Sequence, residues 1–229
     1  MTGEGPIIVA IDGPAGSGKS SVARAVAKEL GYGFLDTGAA YRALTWLLLQ
    51  QGALADRANL AADALAVLKN WQLELPLAAD GEIRLNGQNI AAQIRDPKTT
   101  ETIKHVSAIA AVRDELNRWF RKYVSVSGLP GVVIEGRDIT TVVMPDAKVR
   151  IILTASPEVR AARRQKQLPQ MTFAQVLEDL RVRDEADLKV VNFIDPAPGV
   201  KLIDTSELDF AGSVAAVVEY AQERAGKLG

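Results

Sequence analysis

No stretch constrains this chain more than Gly13-Pro14-Ala15-Gly16-Ser17-Gly18-Lys19-Ser20, which satisfies the spacing G-x-x-x-x-G-K-[ST]. What precedes and follows it gives the spacing its meaning. Ile7–Ile11 is a β-branched apolar run of the kind a strand buried on both faces requires. Ser20–Leu30 then places Val22, Val26 and Leu30 on one helical stripe, and Gly31 is placed to end that helix. Strand, glycine-rich turn and helix together form a phosphate-binding P-loop. The glycines let backbone N–H groups close around β- and γ-phosphates, an approach a Cβ would obstruct. Lys19 adds a positive charge there, the Ser20 hydroxyl is an expected Mg²⁺ ligand, and the helix dipole presents its positive end to the same anion. The candidates to hold those phosphates are Gly13, Pro14, Ala15, Gly16, Ser17, Gly18, Lys19, Ser20 and Ser21.

The remaining chain alternates strands with helices. Phe34-Leu35-Asp36 reads as a second strand, followed by helices over Ala39–Gln51 and Asp56–Asn70. The pattern then changes. Trp71, Leu73 and Leu75 alternate with polar residues, Ala79-Asp80-Gly81 reads as a turn, and Ile83 and Leu85 alternate again before Asn86-Gly87. That pattern predicts an inserted β-hairpin. Lys98–Ser127 is helical in composition with a break near Ala110. Val132–Ile134 and Val149–Leu153 are buried-strand candidates, Pro157–Gln167 and Thr172–Lys189 are Arg-rich helices, and Val200–Ile203 and Phe210–Ala225 supply a last strand and helix. The expected fold class is α/β, three layers with a mostly parallel central sheet. One domain over 1–229 is expected. Its core would cover about 1–55, 129–156 and 200–229, with an insert at about 56–128 and a lid at about 157–190.

A P-loop alone leaves kinases, GTPases and ATP-driven machines open. The chain has no guanine-reading Asn-Lys-x-Asp segment. Motor and transporter ATPases carry a later strand of four apolar residues ending in an Asp that holds Mg²⁺. Val132-Val133-Ile134 runs instead into Glu135-Gly136-Arg137-Asp138, which puts an arginine at the ligand-binding edge of a parallel sheet. An arginine there suits a second phosphate more than a metal.

Three further segments make the pattern specific. Leu35-Asp36-Thr37-Gly38-Ala39-Ala40-Tyr41-Arg42 comes first. Glu135-Gly136-Arg137-Asp138-Ile139 follows, with Pro145-Asp146-Ala147, and the last is Arg183-Asp184-Glu185-Ala186-Asp187. In order and spacing the chain resembles the bacterial cytidylate kinases over essentially its whole length, the inserted hairpin included. The resemblance implies a three-layer P-loop kinase fold with an inserted β-hairpin NMP-binding region and a helical lid, and transfer of the γ-phosphoryl group of ATP to CMP or dCMP. It also implies that Thr37, Arg42 and Arg137 hold the acceptor phosphate, and that Ser107, Asp138 and a helix arginine read the base. Arg183 and Asp187, in the lid, would reach the sugar and the transferring group. Lys19, Arg137 and Arg183 would be the catalytic cations.

The residues fit that reaction on physical grounds. Phosphoryl transfer between polyanions needs positioning and charge neutralisation, and the attacking phosphate is already an anion, so no histidine relay is required. Arginine grips two phosphate oxygens at once. Cytosine offers an amino donor where uracil offers an acceptor, so a carboxylate at Asp138 would discriminate between them. Two positions depart from the family pattern in ways that bear on these roles. The base-reading arginine, nine residues beyond Ser107, is replaced by Leu116, leaving Arg113 and then Arg118 as substitutes. Seven residues beyond Arg183 stands Val190, with Lys189 beside it. Thr140 occupies a usual glycine position, and the lid around Gln165–Thr172 is short. A kinase for another acceptor such as UMP, or a weakened nucleotide-binding regulator, stays open on these departures.

The other side chains read more plainly. Asp36 is expected in a structural, capping role, with a Mg²⁺-side carboxylate as the alternative, His105 at a helix surface or half-buried, and Trp46, Trp71 and Trp119 as core anchors. Arg160, Arg163 and Arg164 are read as a basic exposed face, from which one could reach ATP. The net charge of −1 provides no long-range attraction for nucleic acid or anionic membrane. The absence of cysteine excludes disulfides, and Met1–Pro6 lacks the basic start of a signal peptide. A cytoplasmic monomer with no nucleic-acid or membrane partner is expected.

Overall fold

In the computed structural model residues 5–78, 81–191 and 195–226 are described, so Met1–Glu4 and the Ala79-Asp80 half of the expected turn lie outside them. Five strands form the main sheet: β1 (Ile7–Asp12), β2 (Gly33–Asp36), β6 (Gly131–Glu135), β7 (Val149–Thr154) and β8 (Lys201–Asp204), in the order β2-β6-β1-β7-β8. β1 pairs parallel with both β6 and β7, and β7 with β8. The strand order therefore reverses at β1. Its carboxyl end is the place where an open parallel sheet binds ligands.

The chain divides into two compact units, one made of residues up to Phe34 together with Gly128 onward, the other of Leu35–Ser127. In the first unit, one sheet face packs Val9, Ile11, Val133, Ile151 and Leu153 against α1 (Lys19–Leu30) and α8 (Phe210–Gly226). Val22 and Val26 supply the α1 side of that core, as the helical stripe requires, and Leu30 is only partly buried at its edge. On the opposite face Ala10, Val132, Ile134 and Ile152 are also buried, which explains why these strands read as unbroken apolar runs. Gly31 ends α1 with a left-handed φ of 68°, and the Tyr32 amide reaches back to the Ala27 carbonyl. Helices α6 (Pro157–Gln165) and α7 (Phe173–Leu188) pack on each other. A reciprocal Thr172–Gln175 capping box starts α7.

The second unit holds α2 (Thr37–Gln50), α3 (Leu60–Asn70), α4 (Pro97–Ser107) and α5 (Ala110–Ser125). The chain breaks between α4 and α5 at Ala108-Ile109. Phe120, Leu116 and Val112 are fully buried, with Val124 nearly so, a stripe of every fourth residue along α5.

Three expectations are corrected in this unit. The insert is a three-stranded antiparallel sheet, β3 (Leu73–Glu74), β4 (Arg84–Leu85) and β5 (Gln88–Asn89), rather than a single hairpin. Leu85 faces Gln88, so Asn86-Gly87 is the two-residue turn of a second hairpin. Both residues have positive φ (50° and 79°), the geometry an Asn-Gly turn favours. α3 begins at Leu60, not Asp56. The Asp56 carboxylate is engaged by the Ala58 amide and the Asn59 side chain, a local turn that competes with helix. The tryptophans are half-buried rather than core anchors. Trp119 stacks on Tyr123 at 4.7 Å between ring centres and leans on Trp71, while Phe120 fills the core beneath. Among the described residues no helix is long and apolar enough to cross a membrane.

Candidate active site

The phosphate loop leaves β1 at Gly13, where a glycine is obligatory. A Cβ there would lie 2.1 Å from the Leu153 carbonyl oxygen, and φ is +150°. Lys19, the first residue of α1, is buried, and its Nζ donates to the Pro14 carbonyl at 3.1 Å. Its ammonium is pushed down to about 7. Burial is the main cause, followed by the nearby Arg137 guanidinium and, less strongly, Arg183; Glu135 and Asp187 oppose the shift. Arg183 is lowered as well, by burial first and then by Arg137, with Arg164 adding to the effect. Guanidiniums that hold a neighbouring ammonium down beside a phosphate loop mark a place that suits an anion.

Each of these cations is held by identifiable contacts. Arg137 follows the end of β6. It donates from Nε to Asp187 at 2.7 Å and from Nη1 to the Gly13 carbonyl at 2.8 Å, joining the phosphate loop to α7. Arg183 lies one helical turn before Asp187, with Asp179 at 3.9 Å. The structure thus brings Lys19, Arg137, Arg183 and Asp187 together. Lys189 lies exposed just past the end of α7, next to an equally exposed Val190.

Sequence reasoning gave no role to Glu135 or Asp184 and read Arg160 and Arg163 as part of an exposed face. Glu135, 4% exposed at the end of β6, accepts a 2.6 Å hydrogen bond from the Ser20 hydroxyl. Asp184, in the same Arg-Asp-Glu-Ala-Asp run as Arg183, accepts from the Ala15 amide at 2.9 Å and from Arg160 Nη1 at 2.5 Å. Arg160 also donates to the carbonyls of Ala15 and Ala155. Arg163 donates to the Ser17 carbonyl and to Thr205. The Arg160–Arg163–Arg164 run is therefore not an exposed face. Arg160 and Arg163 brace the phosphate loop from behind. Arg164 keeps a buried Nε that has no hydrogen-bond partner among the described residues, so it adds a further cation beside Arg183.

The other unit carries the remaining candidates. Asp36 caps α2 by accepting from the Ala39 amide at 3.0 Å and pairs with Arg42 at 2.6 Å, which makes its role structural and orienting. Thr37 is buried at the first position of α2. Ser107 ends α4, and Arg113 sits near the start of α5. Helix phase explains the displaced arginine: position 116 points into the core, where Leu116 is fully buried, whereas Arg113 is only half-buried. Arg118 is exposed and pairs with Glu115. His105 lies half-buried against Arg57, with ring nitrogens 2.9 and 3.1 Å from its guanidinium, and burial and that charge keep the imidazole pKa low.

A strand-end phosphate loop facing converging guanidiniums defines a P-loop phosphotransferase. The comparison with known proteins narrows the class. The cytidylate kinase family model matches residues 9–223. A cytidylate kinase of Cutibacterium acnes is 40% identical over 93% of this chain and 95% of its own length. One of Mycobacterium leprae is 41% identical over 96% and 97%. An uncharacterized protein from Eubacterium ventriosum shares the fold with a TM-score of 0.52 at 13% identity, covering 94% of this chain and 98% of its own. The chain belongs to the cytidylate kinase family.

Proposed function

We propose that this protein transfers the γ-phosphoryl group of ATP to CMP or dCMP, giving ADP and CDP or dCDP. The observation that carries the reading is the mutually repelling Lys19–Arg137–Arg183 group beside the phosphate loop, in a chain matched to the family along its length. An oxygen of the acceptor phosphate forms the new bond to the γ-phosphorus, while the bond to the β,γ-bridging oxygen breaks. Gly13–Ser21 holds the donor phosphates, and Lys19 with Arg183 neutralises charge on the transferring group. Arg137 grips the acceptor phosphate together with Thr37 and Arg42. Asp187 orients Arg137 and reaches the sugar, with Lys189 at the rim. Ser107, Arg113 and Asp138 read the cytosine edge. Residues 56–128 act as the acceptor-binding insert and 157–190 as the lid.

Ser20 and Glu135 supply a hydroxyl and a carboxylate 2.6 Å apart, the oxygen donors a hard cation takes, so these residues would hold Mg²⁺. When bound with ATP, such a cation neutralises β- and γ-phosphoryl oxygens. The deciding experiment is a panel of acceptors (CMP, dCMP, UMP and AMP) with ATP in an ADP-release assay, repeated with Asp138→Asn. The wild type should prefer the cytosine nucleotides, and the variant should narrow the CMP-over-UMP ratio of kcat/KM by roughly tenfold. A wild type indifferent to CMP rejects the substrate reading. An unchanged ratio in the variant rejects Asp138 as the base reader.

A further inference from the structure

Asp12, the last residue of β1, is 1% exposed and lies outside the roles described above. Its carboxylate is heavily engaged. Oδ1 accepts from the Ile139 amide at 2.8 Å, and Oδ2 accepts from both the amide and the hydroxyl of Thr140, at 2.8 and 2.7 Å. Burial pushes this carboxyl up, and the Thr140 and Ile139 hydrogen bonds act against it. A charged group costly to bury is kept here by donors that all come from one short segment.

That segment follows Arg137-Asp138 directly. It is a single turn of π-helix, Ile139–Val143, in which the Val143 amide reaches Asp138 and the Met144 amide reaches Ile139. Such turns are rare and are concentrated at functional sites. On the near side of Arg137-Asp138, the Gly136 amide donates to the Ile11 carbonyl at 3.0 Å. The two residues are therefore fastened on both flanks to the end of one strand, by Ile11 before and Asp12 after. That strand end also opens the phosphate loop, and Arg137 itself donates to Gly13. Thr140 contributes two of the three bonds, one through a hydroxyl that a glycine at this position would lack.

We propose that Asp12, acting through the Thr140 hydroxyl and the Ile139 and Thr140 amides, is a positioning residue for phosphoryl transfer. It fixes the Arg137-Asp138 loop to the same strand end that carries the donor-phosphate loop. The proposal rests on the kinase reading above, since it concerns the spacing between the acceptor-side and donor-side groups of that reaction. Misplacing reacting groups by a fraction of an ångström lowers turnover rather than affinity, and ATP binding by the loop itself is left intact.

Three variants test it: Thr140→Val, which keeps the shape but loses the hydroxyl; Thr140→Ser, which restores the hydroxyl; and Asp12→Asn. Thr140→Val should lower kcat roughly tenfold with the ATP KM within about twofold, Thr140→Ser should recover most of that loss, and Asp12→Asn should cost about a hundredfold. Hydrogen exchange supplies a readout independent of activity: the Ile139 and Thr140 amides should exchange faster in Thr140→Val, while Val149–Thr154 in β7 stays protected. If the wild type proves to use another acceptor, the same kcat loss should appear with that acceptor, which separates failure of the substrate reading from failure of the clamp. Should Asp12→Asn not fold, the threonine pair still decides. Thr140→Val turning over within twofold of wild type, or equal losses in Thr140→Val and Thr140→Ser, overturns the proposal.

Discussion

In the proposed function Arg42 and Arg137 hold the same acceptor phosphate, yet they stand in opposite electrostatic surroundings. Arg42 is locally neutralised, held at 2.6 Å by an aspartate that also caps its helix. Arg137 has its own carboxylate, Asp187, at 2.7 Å, but it sits close enough to Lys19 and Arg183 to depress both. The contrast separates two tasks. The Arg42 pair orients a fork in advance, whereas the group around Arg137 gathers like charge that a polyanion relieves. Transition-state stabilisation should therefore concentrate in the second group.

The largest test of that contrast is Lys19→Ala, expected to lower turnover about 10³-fold while the protein stays folded. Far-UV circular dichroism together with an ADP-release assay checks both halves. Turnover within threefold of wild type removes Lys19 from the like-charge group. Arg137→Ala is expected to lower kcat/KM about a hundredfold and to raise the KM for CMP more than that for ATP. A change confined to the ATP constant would reassign Arg137 to the donor side.

A third test uses pH. Lys19 titrates near 7 in the free protein against an ordinary value of 10.5. Phosphates stabilise its charged form, so ATP binding above about pH 7 must take up a proton, and affinity should fall by up to tenfold per pH unit as pH rises. The linkage to folding has the opposite sign. The unfolded chain holds the Lys19 proton over the interval from 7 to 10.5 and the folded one does not, so this group makes the free fold more stable as pH rises through it. Arg137, Arg183, Glu135 and Asp187 face the ammonium. Calorimetry in buffers of different ionisation enthalpy measures the proton directly. No uptake at pH 8.5 contradicts the depressed ammonium.

The two regions also differ in how far sequence alone disclosed them. The phosphate loop is a contiguous motif, and the strand before it and the helix after it carry local signals, so both the element and its chemistry were readable. The braces behind it were not. Arg160 meets Asp184 and Ala15, 24 and 145 residues away, and the Arg163 partner Thr205 is 42 away. Such partners are invisible to helical periodicity, which sees only a row of arginines. The Asn86-Gly87 pair carried a strong turn signal, but the strand it leads into, Gln88-Asn89, is two exposed polar residues with no alternation to betray it. Arg113 was recoverable as a candidate from spacing. Only the burial of Leu116 shows why position 116 has no access to a ligand.

The smallest expected effect tests the neutral half of the comparison. Asp36 performs two jobs with separable costs: Oδ1 caps α2 through the Ala39 amide, and Oδ2 holds the Arg42 guanidinium. Asp36→Ser keeps a capping oxygen but removes the charge, whereas Asp36→Ala removes both. If Arg42 is oriented by its pair rather than charged against it, Asp36→Ser should raise the KM for CMP only a few-fold, leave kcat within about twofold, and change stability little. The pair is about a quarter exposed on each side, so solvent screens its contribution. Asp36→Ala should show the same KM and, in addition, lose about 1 kcal/mol of stability with the N-cap, read as a lower denaturant midpoint. A fall in kcat for Asp36→Ser approaching that of Arg137→Ala would collapse the distinction, because the neutral pair would then be contributing to the transition state as strongly as the charged group.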